Sequence, residues 1–294
     1  MKDFDRYAAW PARVLWVFVA VAASIPLADA IDGRSTAIRW LVVVGCWTAW
    51  TVAAVCLLVP RHVFLTGARI LVPAGLAVTL AAVACGSSLD AADVSAVLVT
   101  SLCTAWVLTP WFGEMWVDGS SYGPEKRLPL RPPTTFSLVV VPVTWVAVVA
   151  GATAGPLLLA ASKWLPGALL TAVGFGVAYA GTRALHQLSR RWVVMVPAGM
   201  VLHDSLTMPE PQLFLRHTVR RLGPAPADVD DSAEDLTAGA AGLALRLELD
   251  EPVELLVRRG GRRTETVERT VVLFTPSRPH RLLETASKRR IPIG

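Results

Sequence analysis

The densest chemistry in this chain of 294 residues is a run of arginines around two glycines, Arg258-Arg259-Gly260-Gly261-Arg262-Arg263. Four guanidinium groups on one turn repel each other and call for an anion. Beside a bilayer each basic residue is worth about 1 kcal/mol toward acidic headgroups. Arg258, Arg259, Arg262 and Arg263 are therefore the candidate anionic-lipid contact, with Glu265 and Glu268 as the partners that would make the same turn an ordinary solvated one. Nucleic acid is not expected, because no aromatic side chains are interleaved with these arginines.

Carboxylates occur in three other places. Glu114 and Asp118, four apart, share one face of a helical turn flanked by Trp111 and Trp116. Asp90 and Asp93 share a face at a helix start, where N-capping is a simpler role than cation binding. Asp228, Asp230, Asp231, Glu234 and Asp235 lack the ligand spacing of a calcium loop. His203-Asp204, His217 and His280 are scattered, and no G-x-S-x-G, HExxH or Walker pattern is present. No catalytic residue, metal site or cofactor is expected. Cys46, Cys56, Cys85 and Cys103 all lie in apolar segments and read as small buried hydrophobes.

The elements that hold these groups are mostly hydrophobic. The chain is 53% hydrophobic and 17% charged, with a mean hydropathy of +0.50, too apolar for a soluble protein of this length. Six apolar stretches, 14–30, 38–59, 70–86, 94–110, 136–161 and 167–185, match a hydrocarbon core of about 30 Å at 1.5 Å per helical residue. Basic residues collect at Lys2, Arg6 and Arg13, at Arg61, His62 and Arg69, at Lys126, Arg127 and Arg131, and at Arg183, Arg190 and Arg191. Alternate loops hold Asp29, Asp32 and Arg34 with Arg39 just beyond, then Asp90 and Asp93, then Lys163. The positive-inside rule places both termini in the cytoplasm, and it accounts for the net charge of +5 without nucleic acid. Val14–Leu27 followed by Ala28-Asp29-Ala30 resembles a signal peptide, but Asp3 and Asp5 in the leading segment and the length of the stretch favour a retained first helix.

Ionisable groups between the ends of these spans are nearly missing, with Asp29, Asp93, Arg183 and His186 all terminal. Pro26, Pro73 and Pro142 can kink their helices. Gly151 and Gly155 form a GxxxG, and Gly174 and Gly181 thin one side of the last span, which suits packing within the chain or a homodimer. The loop after the fourth span carries Trp111, Glu114, Trp116, Asp118, Tyr122, Arg127 and Arg131 and reads as a docking element for the tail or for a partner. Its proline-rich second half reads as an extended arm.

After Leu188 the periodicity changes from helix to strand. Arg191–Val196 and Met200–His203 around Pro197-Ala198-Gly199 read as a hairpin, Leu243 to Leu249 alternate as a half-buried strand, and Glu254–Val257 and Thr264–Phe274 flank the arginine turn. A final helix runs through Leu282, Leu283 and Ala286. The opening hairpin Arg191–Met200, the last strand Val271–Phe274 and the helix within Pro279–Arg290 resemble bacterial pleckstrin-homology-like domains, over residues 190–292. The Ala- and Arg-rich style resembles uncharacterised actinobacterial multi-pass membrane proteins. Such families imply no catalytic residues to carry over.

The fold class is thus an α-helical membrane bundle of six transmembrane helices (1–188) followed by a cytoplasmic mainly-β domain ending in one helix (189–294). The function expected first is a non-enzymatic inner-membrane scaffold or regulator, its partners being the bilayer, anionic headgroups and a protein bound through the cytoplasmic domain and fourth loop. The alternatives are a small-molecule or lipid transporter and, third, a membrane enzyme of lipid or cell-wall metabolism, which needs Glu114, Asp118 and tail carboxylates to converge.

Overall fold

The computed structural model describes residues 7–86, 89–226, 233–260 and 263–294. Arg262 and the acidic residues Asp228, Asp230 and Asp231 lie outside the described residues. The chain forms two compact units, one of residues 1–116 and 143–186, the other of residues 117–142 and 187–294.

The first unit is helical. It comprises α1 (Trp10–Ala22), α2 (Ser24–Ile31), α3 (Thr36–Leu58), α4 (His62–Cys85), α5 (Ala91–Val107), most of α6 (Pro110–Asp118), α7 (Val141–Ala160) and α8 (Trp164–Ser189). Among the described residues five helical stretches are long and apolar enough to cross a membrane, six if the bent pair α5–α6 counts as one span. Large apolar side chains such as Leu165, 74% exposed, cover the outside of α7 and α8, a surface that water would not tolerate and lipid would.

The first and last apolar helices start at Trp10 and Trp164, a few residues before the stretches read at 14–30 and 167–185, and two other boundaries also differ from the sequence reading. The stretch at 70–86 begins at His62, so Arg69 is not in a loop but two turns inside α4. The stretch at 94–110 starts at Ala91, where Asp90 and Asp93 form a capping box: Asp93 N–H donates to Asp90 at 2.9 Å and Asp90 N–H to Asp93 at 3.3 Å. It ends at Val107, three residues before Pro110, and α6 departs at 56°. Pro110 lacks the N–H that would continue the ladder.

Indoles and small residues fasten the helices. Trp16 and Trp50 each donate to the other's carbonyl, at 3.1 and 3.0 Å, and Trp106, Trp116 and Trp145 donate to Ala8, Cys56 and Ile70. Arg13 caps α3 through the carbonyls of Leu57 and Leu58. Gly151 faces Gly174, where a Cβ on either would lie 2.6 or 2.3 Å from the other's carbonyl oxygen; Gly155 meets the backbone of Thr171, and Gly181 meets Val148. These four glycines are therefore spent on each other's helices within the chain. Replacing Gly174 with Val should force α7 and α8 apart and cost about 1–3 kcal/mol or more. Gly176→Ala, where a Cβ meets nothing within 4 Å, should leave the melting temperature of the full chain in detergent unchanged.

The second unit holds two four-stranded sheets and one helix. The first sheet has the order β1 (Lys126–Pro129), β2 (Arg191–Val196), β3 (Gly199–Asp204), β4 (Gln212–Leu215), antiparallel throughout. The second contains β5 (Val219–Pro224), β6 (Glu234–Asp235), β7 (Leu245–Arg258) and β8 (Thr264–Phe274) in the order β5-β7-β8-β6, with β6 parallel to β8. Inward alternation makes these strands: Leu245, Leu247 and Leu249 share one core with Val193, Met195, Leu202 and Phe214. Pro252 falls where the β7–β8 register shifts, so its missing N–H costs no ladder bond. Helix α9 (Pro279–Lys288) closes the core with Leu282 and Ala286.

Strand β1 corrects the boundary drawn at residue 188. The proline-rich arm after α6 is extended as expected, yet it belongs to the β unit, because Lys126–Pro129 pairs with Met195–Trp192. Its other side is held as well. Arg131 N–H donates to the carbonyl of Thr275 at 2.9 Å and Ser277 N–H to that of Pro129 at 2.8 Å.

Candidate functional site

Three places combine polar side chains with a defined geometry. The first is a polar seam in the helical unit. His62, Thr66 and Arg69, spaced i, i+4 and i+7, line one face of α4. His186, in the last turn of α8, stacks on His62 with ring centroids 5.8 Å apart, and its Nδ1 lies 3.0 Å from the Thr66 hydroxyl. Arg69 Nε donates to the carbonyl of Val107 at 3.5 Å. That carbonyl is one of those the end of α5 leaves without a helical partner, and a cation is favoured there. The guanidinium lies against α6, with Nη2 2.6 Å from where a Cβ on Gly113 would stand. The next residue, Glu114, is only 5% exposed. Sequence reasoning missed this seam because it started the span at Ile70; the spacing of His62, Thr66 and Arg69 was the signal that extends the helix back by two turns.

The second place is a buried ion pair in the β unit. Arg191 and Asp204, opposite each other on β2 and β3, form a bidentate bridge at 2.6 and 2.7 Å with side chains 2% and 1% exposed. Arg191 Nη1 also donates to the carbonyl of Arg131 at 2.8 Å, and Asp204 accepts from Leu206 N–H at 3.1 Å. Next to the pair, Trp192 carries His203 on one side, 5.0 Å away and nearly parallel, and the Arg127 guanidinium at 5.7 Å. Burial pushes the His203 imidazole below its ordinary value of 6.5, with the Arg190 and Arg127 charges in the same direction and Asp204 opposing. A depressed imidazole binds its proton more weakly folded than unfolded, so its contribution to stability is whole above pH 6.5 and is lost as pH falls from there. The drop in melting temperature between pH 7.5 and pH 5 should shrink in His203→Gln; an equal drop in both proteins would assign the acid sensitivity elsewhere.

The third place is the arginine turn. Arg258, Arg259 and Arg263 are exposed, but Arg259 is engaged: it reaches Glu234, itself 2% exposed, at 2.7 Å and Glu265 at 3.1 Å. Hydrogen bonds to Glu234 and then Glu265 raise its guanidinium further above the ordinary value. Arg269 adds a second cation to Glu234 at 3.5 Å. The turn thus presents Arg258 and Arg263 outward while Arg259 locks β6 to the hairpin.

The seven residues expected to form a docking loop divide between the two units. Trp116 is fully buried, stacked on Phe112 at 3.8 Å, and Glu114 is buried too. Trp111 and Tyr122 are exposed. Asp118 accepts from Ser121 Oγ and Arg127 N–H, both at 3.0 Å, so its carboxylate shapes the turn into β1. Arg131 donates to the carbonyl of Ala241 at 3.3 Å. Two surface depressions of about 370 and 270 Å³ lie on the β unit, beside Arg221 and Arg246 and beside Met208 and Glu254. No family model matches this chain, and no curated protein or solved structure matches it either.

Proposed function

We propose that the chain is a multi-pass inner-membrane protein with both termini in the cytoplasm, acting as a scaffold or regulator through a pleckstrin-homology-like β domain. The observation that carries this reading is the origin of β1. The domain takes one strand from the connection between α6 and α7 and the next directly after α8, so whatever binds it is tied through the backbone to three helices. A four-strand antiparallel meander, a second sheet with antiparallel β5, β7 and β8, and one closing helix support the pleckstrin-homology-like assignment; the strand borrowed from the α6–α7 connection departs from that pattern. Arg258 and Arg263 supply the contact with acidic headgroups. Counting α5–α6 as one span gives an even number of crossings and puts Arg61, Lys126, Arg183 and Arg190 on one side.

Mild crosslinking in the native membrane, purification of the tagged full chain and mass spectrometry should recover a specific partner protein; recovery of none would sink the scaffold reading. One observation favours the transporter as a second reading: Arg69 and Glu114 are ionisable groups inside helices. The enzyme reading needs Glu114, Asp118 and tail carboxylates to converge; Asp118 accepts from Ser121 and Arg127, and Glu114 is buried on α6.

A further inference from the structure

We infer that Glu114 shares a proton with the stacked His62–His186 pair, so that the helical unit carries a binding site for one proton. Burial is the first reason. A carboxylate 5% exposed costs several kcal/mol unless it is neutralised by a partner or a proton. Placement is the second. The end of α5 and Gly113 of α6 both meet Arg69 on the polar face of α4. Glu114 is the next residue after Gly113, and Arg69, which meets Gly113, stands one turn along α4 from Thr66 and two from His62. From α8 comes His186, already against both.

The other charged groups around the cluster are few. Arg69 follows one turn further along α4. Arg61 and Arg183 flank the histidines and are exposed. Helix α7 carries no ionisable residue, α5 has Asp93 at its far end, and Arg13 of α1 is engaged at the end of α3. Arg69 is engaged at the Val107 carbonyl, so the histidine pair holds the one proton that offsets the Glu114 charge. A second proton is opposed by the first across 5.8 Å. Proton uptake changes the charge at the α5–α6 bend, which gives the unit a response to pH independent of any partner of the β domain.

The test uses the full chain in nanodiscs and diethyl pyrocarbonate, which acylates a histidine only in its neutral form. Modification of His62 and His186 is read by peptide mass spectrometry from pH 5 to 8.5, with the exposed His280 as internal reference. The two histidines should follow one shared curve, and Glu114→Gln should lower its midpoint by about one pH unit or more, because the carboxylate no longer favours the imidazolium. Independent curves, or an unmoved midpoint in a folded Glu114→Gln protein, would overturn the inference. Should that variant fail to fold, His186→Gln serves instead: the His62 midpoint must then move, and a His62 curve identical to wild type overturns the inference equally.

Discussion

Residues 187–294 produced alone should not fold into the two-sheet unit, whereas the same segment fused through a flexible linker to residues 120–135 should. The shorter piece lacks β1, which pairs with β2 from Lys126 to Pro129, and with it the core residues Leu128 of the strand and Leu130 just after it. Losing two buried leucines costs about 2–5 kcal/mol each, against a total domain stability of about 5–15 kcal/mol. The Arg191 guanidinium also loses the Arg131 carbonyl, and Ser277 N–H loses that of Pro129. Thermal melts followed by near-ultraviolet circular dichroism decide the matter: a cooperative transition only in the fusion is expected, and equal transitions in both would make β1 dispensable. The same result bears on lipid binding, because a vesicle assay on the tail alone would test an incomplete domain.

The second large effect is expected at the buried ion pair. Asp204→Ala should destabilise the β unit by about 3–5 kcal/mol, since it strands the Arg191 charge where water cannot reach it. Arg191→Met should cost a similar amount by stranding the carboxylate. The double change to Met and Leu should recover much of the loss, because desolvating the two charges offsets much of their attraction. Denaturant unfolding of the fused β unit measures all three, and a double variant as unstable as the sum of the singles would contradict the expected coupling.

Much of this architecture was legible from periodicity. Twenty-residue apolar runs can only be long helices, and Leu245, Leu247 and Leu249 can only be one face of a strand. Asp90 and Asp93 are a capping box by spacing, and the four glycines meet as small residues at helical intervals should. What stayed hidden was long-range pairing. Nothing local in Lys126-Arg127-Leu128-Pro129 says that its partner lies some sixty residues onward, across two helices. The polar seam was hidden for another reason: His62, Thr66 and Arg69 look like a loop until α4 is extended back over them, and only the packing of α6 and α8 gives them neighbours. The arginine turn was visible, but its engagement by Glu234 depends on β6, two residues that no propensity marks.

The central claim is that the connection between α6 and α7 is the first strand of the β unit, and a disulfide tests it most directly. Arg127 and Val194 are register partners on β1 and β2, and partners in an antiparallel pair stand about 4.5–5.5 Å apart at Cα, within the range a disulfide spans. In a full chain with Cys46, Cys56, Cys85 and Cys103 replaced, Arg127→Cys with Val194→Cys should crosslink on mild oxidation, while Arg127→Cys with Val193→Cys, whose side chains point to opposite faces, should stay reduced. Crosslinking of neither pair, or of both alike, would contradict the placement of β1.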